Sequence, residues 1–216
     1  RKQWGVDPSQ LDTSVISRIP VRNNRDTRYF NDKYQGMPSH GYTKMCENMA
    51  SNKNIKIMLN TNYKEVIDDI QYDTLVYTGP IDEFYDYKHG KLAYRSIDFV
   101  FETYDKAEFQ EAPVVNYPND FDYTRITEFK KLTWQSHKKT TICKEYPCAE
   151  GEPYYPFPTK EHKSHYALYE EEMEKESHVI FVGRLAEYRY YNMDAVIRRS
   201  MDLFKERIME ARKRRM

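Results

Sequence analysis

The sequence predicts a mixed α+β protein that contains an antiparallel sheet. Three observations lead to this fold class. Between residues 95 and 146, aromatic and polar residues alternate in short runs separated by turn residues, a pattern typical of an antiparallel meander. Two apolar runs, Leu75–Pro80 and Val179–Gly183, have the length of buried strands and end in turns. The last segment, Asp194–Arg215, carries an apolar stripe at helical spacing.

The remaining elements follow in chain order. Residues 5–28 are predicted to form a loop, because prolines interrupt them and few apolar pairs have helical spacing. Tyr42–Ala50 predicts a short helix and Ile55–Leu59 a strand. Glu161–Lys175 predicts a longer helix. The strands of the meander are expected at Arg95–Phe101, Val114–Tyr117, Arg125–Phe129 and Thr140–Tyr146.

The final helix has the clearest signals at both ends. Asn192 or Asp194 is expected to cap its start, and the basic residues Arg212–Arg215 suit the negative end of its dipole. The stripe that should face the core consists of Val196, Ile197, Met201, Phe204 and Ile208.

Composition excludes several classes of protein. Lysine plus arginine and aspartate plus glutamate both number 34, and this balance argues against a general nucleic-acid binder. Apolar runs are far shorter than the roughly 20 residues that span a bilayer, and no signal-peptide pattern opens the chain. Three cysteines, an odd number, argue against a disulfide framework and for the reducing cytoplasm. The chain begins without methionine, so we expect a piece of a longer protein.

The segment Val179–Val196 has the order strand, glycine, polar loop and helix start. Free amide groups at a helix start form an anion site, to which Arg184 could add two hydrogen bonds. The same order also occurs wherever a strand is followed by a helix.

Several arginines lie beside aromatic residues, which is an arrangement that can bind a nucleotide diphosphate. The alternative is that the arginine stems pack over tyrosines on a solvated face. The arginines concerned are Arg18, Arg28, Arg95, Arg125, Arg184 and Arg189.

A zinc site is a weaker alternative. Cys143, Cys148, His162 and His165 imitate the order of ligands in a zinc finger. The histidines are one residue too close together, and three prolines occupy the region where a finger has its helix. We therefore predict no metal and expect the histidines on the exposed face of a surface helix.

Several segments resemble those of bacterial UDP-galactopyranose mutases, in the same order and with the same spacing over nearly the whole chain. They are Asp26–Pro38, Tyr77–Asp82, Leu92–Ser96, Val115–Asp120, Tyr123–Glu128, Pro153–Pro156 and Phe181–Asp194. The resemblance implies a Rossmann-type FAD domain, a helical domain and a six-stranded antiparallel sheet domain. It places residues 1–25 at the end of the helical domain and 26–165 mainly in the sheet domain, interrupted at about 55–85 by strands of the FAD domain. Residues 166–216 would return to the FAD domain.

The resemblance also implies an activity. Such enzymes interconvert UDP-galactopyranose and UDP-galactofuranose through an adduct between the sugar and N5 of reduced FAD, and the bacterial members are commonly homodimers. The family's G-x-G-x-x-G turn and first βαβ unit are not in this sequence. We therefore expect an incomplete FAD site and an inactive isolated chain. The rival interpretations are a non-catalytic fragment that binds UDP and a tyrosine-rich module that binds another protein.

Site residues follow from the same resemblance, position by position. The catalytic positions, which bind and neutralise the diphosphate of UDP-galactose, are Arg18, Arg95 and Arg125. The substrate-binding positions are Trp4, Tyr29, Tyr154, Tyr155, Tyr190 and Asn192, where several relatives have aspartate in place of Asn192. The positions that contact the cofactor are Gly183, Arg184, Met193 and Asp194.

Overall fold

The computed structural model describes residues 1–13, 15, 21–157 and 159–209. Seven strands lie within these residues: β1 Leu75–Tyr77, β2 Tyr94–Tyr104, β3 Val114–Asn116, β4 Arg125–Glu128, β5 Thr140–Cys148, β6 Tyr155–Pro156 and β7 Val179–Phe181. The α-helices are α1 Gly41–Ala50, α2 Tyr63–Val66, α3 Ile81–Phe84, α4 Phe129–Thr133, α5 Lys160–Met173 and α6 Met193–Leu203. Short 3₁₀ turns cover Pro8–Gln10 and Ile67–Asp69, and a π-helical turn, Phe204–Met209, extends α6. The predicted α+β class is confirmed.

The larger sheet is antiparallel and has the strand order β3-β4-β5-β2-β6. Its centre is the long pairing of β2 with β5, which runs from Ser96 opposite Cys148 to Tyr104 opposite Thr140. The four strands predicted between residues 95 and 146 are confirmed, because their alternation matches the two faces of a pleated strand. Five strands of this sheet lie in the described residues, against six implied by the resemblance.

A second, smaller sheet joins distant parts of the chain. Strands β1 and β7 pair in parallel, with Leu75 opposite Val179 and Tyr77 opposite Phe181. Both apolar runs singled out in the sequence are therefore strands, and they pair with each other. A core cluster covers this sheet and the start of β2, and its buried members are Tyr77, Ile81, Leu92, Tyr166, Tyr169, Phe181, Ala186 and Tyr188.

Helix α5 begins one residue earlier than predicted, after Thr159, whose side chain accepts a hydrogen bond from the amide of His162. Helix α1 matches its prediction closely. Among the described residues, no helix is long and apolar enough to cross a membrane.

Two structural predictions are wrong. Ile55–Leu59 forms no strand, and its apolar side chains are exposed, since no strand of the described chain pairs with it. Asn192 occupies the N-cap position of α6, but its side chain makes no capping hydrogen bond, and Asp194 lies inside the first turn. The predicted basic end of this helix, Arg212–Arg215, lies outside the described residues.

Candidate functional site

Arg95 is the most informative residue of the candidate site. It lies near the start of β2, opposite Tyr155 of β6, and only 8% of it is exposed. Its Nε has no hydrogen-bond partner, and within the described residues no carboxylate pairs with it. A buried guanidinium normally has a counterion, because removing a charge from water is costly. The site around Arg95 therefore suits an anion.

An aromatic cluster surrounds Tyr155, the residue that lies opposite Arg95. The Trp4 ring lies edge-on to Tyr155, with centroids 5.2 Å apart, and is stacked near Phe157 at 6.1 Å. Tyr190 approaches Tyr155 from the other side at 6.2 Å. Trp4 and Tyr155 are both buried. Their packing forms an apolar wall beside the positive charge of Arg95.

Tyr155 is a neutral hydrogen-bond donor in this setting. Burial raises the pKa of its phenol, although Gln3 and the nearby charge of Arg95 lower it in part. Its oxygen accepts a hydrogen bond of 2.9 Å from Nε2 of Gln3. Since that bond uses the oxygen as an acceptor, the hydroxyl hydrogen is available for an anion held by Arg95.

Arg125 lies on the same face of the sheet as Arg95. One row of paired residues crosses four strands and consists of Asn116, Arg125, Glu145 and Phe99. Because residues paired across strands share a face, these four side chains lie on the same side of the sheet. Arg95 lies four residues before Phe99, so it shares that face at about 13 Å along the strand. Arg125 donates from Nε to the Asn116 side chain at 3.3 Å, and its Nη1 lies 3.6 Å from the Glu145 carboxylate. Arg125 is therefore already oriented, yet 42% of its side chain remains exposed.

Arg184 connects two loops beside the candidate site. Its Nη1 donates to the carbonyl of Tyr154 at 3.3 Å, and its Nη2 donates to the carbonyl of Tyr191. Its guanidinium carbon also lies 4.7 Å from the centre of the Tyr190 ring. Both terminal nitrogens therefore bind backbone, which makes Arg184 a tether between these loops. A contact with the cofactor stays a prediction for this residue.

Tyr154 borders the candidate site through its backbone. Its amide donates to the carbonyl of Arg95 at 3.0 Å, and its ring lies edge-on to Phe99 at 5.6 Å. Its hydroxyl donates to Glu152 rather than toward Arg95. Of these two adjacent tyrosines, Tyr155 is the one whose ring packs edge-on against Trp4.

The start of α6 and the preceding glycine turn form a second feature. Gly183 adopts a φ of +103°, a left-handed conformation that favours glycine. Its amide donates to the Glu187 carboxylate at 3.0 Å. The first turn of α6 has no side-chain cap, so its amide groups remain free to bind an anion. An open cavity of about 370 Å³ lies at this helix start, lined by residues that include Thr78, Gly183, Arg184, Met193, Val196 and Ser200.

Tyr29 lies away from this cluster, and Arg18 is not among the described residues. Tyr29 is half-exposed, and its ring packs edge-on against Phe30 at 4.7 Å. No contact of Tyr29 with Trp4, Arg95 or Tyr155 occurs within the described part of the chain. Arg18 lies outside the described residues, so its role stays a prediction.

The zinc alternative finds no support in the geometry. Within the ranges that the structure describes, no group of three or more His, Cys, Asp and Glu side chains could hold a metal ion. His162 contacts the carbonyl of Phe157 at 2.8 Å, and His165 contacts the carbonyl of His89 at 2.7 Å. The histidines therefore stabilise loops beside α5, and both are partly buried rather than fully exposed as predicted.

Sequence reasoning missed the polar residues that hold the site together. Gln3 positions Tyr155, and Asn116 and Glu145 orient Arg125. Only the strand register, which the sequence does not specify, places them beside the arginines. Asn116 lies within a segment that carries the family resemblance, and Gln3 lies next to Trp4, but Glu145 has no such signal in the sequence.

Comparison with known proteins identifies the family of this chain. The family model for UDP-galactopyranose mutase matches residues 1–190. The chain belongs to the UDP-galactopyranose mutase family. A protein of Klebsiella pneumoniae named as a probable UDP-galactopyranose mutase is 44% identical over 202 residues, which are 91% of this chain and 52% of that protein. A UDP-galactopyranose mutase of Mycoplasma pneumoniae is 32% identical over 93% of this chain and 55% of its own length.

Another relative has a different nucleotide and sugar in its name. A dTDP-fucopyranose mutase of Escherichia coli is 37% identical over 94% of this chain and 56% of its own length. The chain thus spans about half the length of the curated UDP-galactopyranose mutase relatives it matches.

Proposed function

We propose that this chain carries the substrate-binding part of a UDP-galactopyranose mutase, an isomerase that interconverts UDP-galactopyranose and UDP-galactofuranose. The observation that carries the proposal is the buried guanidinium of Arg95, for which the described residues supply no counterion, beside the aromatic wall of Trp4 and Tyr155. A nucleoside diphosphate supplies the anion that this guanidinium requires.

The proposed chemistry gives the arginines an electrostatic role. Breaking the bond between the anomeric carbon of galactose and the diphosphate leaves negative charge on UDP. Arg95 and Arg125 lie on one face of the sheet, so both can direct positive charge toward that group. The neutral hydroxyl of Tyr155 adds a hydrogen bond to the same group. The resemblance adds Arg18, Tyr29, Tyr154, Tyr190 and Asn192 to the proposed substrate site, although Tyr29 contacts none of Trp4, Arg95 and Tyr155 among the described residues.

FAD is the proposed cofactor. Its fit is supported by the free amide groups at the start of α6, the left-handed turn at Gly183 and the open cavity between them. Gly183, Met193 and Asp194 would hold it there, with Arg184 fixing the loops on either side. Bound in its reduced form, FAD supplies the nucleophile for the anomeric carbon. Thr78 at the end of β1 borders the same cavity.

The first test is calorimetric titration of UDP into the folded chain. We expect saturable binding, which Arg95→Ala weakens by about 10- to 100-fold, because a charge-assisted contact is lost from a desolvated site. Arg198→Ala is the matched control, since Arg198 is exposed on α6. Equal weakening by both variants, or no binding by a chain with a native circular dichroism spectrum, would contradict the proposal.

A second titration addresses the nucleotide. Because one relative is named a dTDP-fucopyranose mutase, dTDP should be compared with UDP under the same conditions. We expect tighter binding of UDP, and a preference for dTDP would reassign the substrate. If neither binds, the alternative of a protein-interaction module gains support.

The cytoplasm is the proposed location, and the three free cysteines suit it.

A further inference from the structure

Residues 1–12, here called the N-terminal strap, cross the candidate site and are anchored at both ends. At the far end, Leu11 forms a β-bridge with Thr159, and Asp12 pairs with Lys163. In the middle, Trp4 packs on Tyr155, and Gly5 lies so close to Arg95 that an added Cβ would be 3.6 Å from its Nη1. The strap therefore forms one wall around the buried guanidinium.

Lys2 makes the anchor at the near end. Its ammonium donates to the carbonyls of Tyr117 at 2.7 Å and Asp120 at 2.9 Å, and also to the carbonyl of Tyr123. The three donors of the ammonium thus bind three acceptors in one loop. The ammonium also lies 6.0 Å from the centre of the Tyr123 ring. No carboxylate pairs with it among the described residues, so the three carbonyl groups and the Tyr123 ring stabilise its charge.

The loop that Lys2 binds leads directly to the second arginine. Residues 117–123 connect β3 to β4, and Asn116 and Arg125, which contact each other, lie at its two ends. Phe121 within the loop has a φ of +61°, an unfavourable conformation for a bulky residue that surrounding contacts must maintain. The rings of Tyr117, Phe121 and Tyr123 pack on one another at centroid distances of 5.0–5.6 Å.

We infer that Lys2 is a positioning residue that fixes the strap over Arg95 to the loop that carries Arg125, and so sets the relative position of the two arginines toward one diphosphate. The inference rests on the proposed function for its effect on UDP, but not for the anchor itself. An ammonium suits this role because its three donors diverge from one atom, whereas the planar fork of arginine does not match three converging carbonyls.

The anchor is tested by the fluorescence of Trp4. The chain has two tryptophans, and Trp134 is 93% exposed, so the variant Trp134→Phe leaves the buried Trp4 as the single reporter. In this background, Lys2→Met should increase quenching of Trp4 by acrylamide, because the strap is released at one end. Lys130→Met is the matched control, since the Lys130 ammonium also binds two loop carbonyls, those of His137 and Lys139, away from the strap.

The effect on the ligand is measured by titration of UDP into the same variants. We expect Lys2→Met to weaken UDP binding about tenfold, Lys2→Arg to give an intermediate affinity, and Lys130→Met to leave it unchanged. If Lys2→Met changes neither the quenching of Trp4 nor the affinity for UDP, the inference is overturned. If no variant binds UDP, including the parent, the proposed function fails, and the quenching of Trp4 alone decides whether Lys2 anchors the strap.

Discussion

Glu128 shows how one buried carboxylate organises the sheet. It is fully buried, and it accepts hydrogen bonds from the amides of Phe109 and Gln110 and from the hydroxyl of Thr140, at 2.6–3.1 Å. Burial raises the pKa of this carboxyl, but the three hydrogen bonds and the nearby charge of Lys131 together lower it by more, so the net shift is downward. Glu128 is therefore ionised, and it fixes the loop before β3 to β5.

Replacing Glu128 by glutamine should destabilise the chain substantially. One acceptor oxygen becomes an amide group that faces donors, which leaves buried groups unsatisfied, so we expect a loss of about 2–4 kcal/mol in the free energy of unfolding. Urea denaturation measures this. Glu108→Gln is the control, because Glu108 is 70% exposed and pairs with Lys131 at the surface, and we expect a change within about 0.5 kcal/mol. Similar losses in the two variants would disprove the role of Glu128.

Individual site residues were predictable to different degrees. Arg95, Tyr155 and Trp4 were identified through the family resemblance, and the structure brings them into contact. Lys2 was not identified, since a lysine near the beginning of a sequence carries no signal of its own. Its role depends on three carbonyl groups more than a hundred residues away, which only the folded chain brings together.

At the level of elements, helix α6 shows what periodicity can and cannot predict. The apolar stripe exists, but Ile197, Met201 and Phe204 are about half-exposed in the described structure. Leu203, which was not assigned to the stripe, is buried against Ile180 and Val182. Spacing identifies residues that share a helix face, but it does not identify which part of that face another element covers.

Two substitutions within α6 test which of its apolar side chains are buried. Leu203→Ala should lower the free energy of unfolding by about 2–4 kcal/mol, because it opens a cavity against β7. Met201→Ala should cost less than about 1 kcal/mol, since half of that side chain is already exposed. Urea denaturation of both variants provides the comparison. An equal or larger loss for Met201→Ala would mean that the stripe is covered in solution.

At the level of the whole molecule, strands were predicted best where they pair with a sequence neighbour. The meander from β3 to β5 follows directly from alternation and turn residues. The parallel pairing of β1 with β7 joins residues about a hundred positions apart, and nothing in either run specifies its partner. Ile55–Leu59 has the composition of a strand, yet it remains unpaired among the described residues, because composition alone cannot supply a partner.

The exposed segment 51–60 leads to a prediction about how the molecule responds to a protease. Trypsin should cleave first at sites in exposed segments such as Lys53 and Lys56, while Arg95 and Lys144 stay intact, because strand pairing protects them. After a single cut in that segment, the N-terminal piece should remain bound, since Trp4, Lys2 and Leu11 each contact residues beyond residue 115. Mass spectrometry identifies the cuts, and gel filtration of the nicked chain tests the association.

Early cleavage at Arg95, or separation of the two pieces under native conditions, would show that the strap does not hold the molecule together. Lys2→Met in the same assay should promote their separation, whereas Lys130→Met should not.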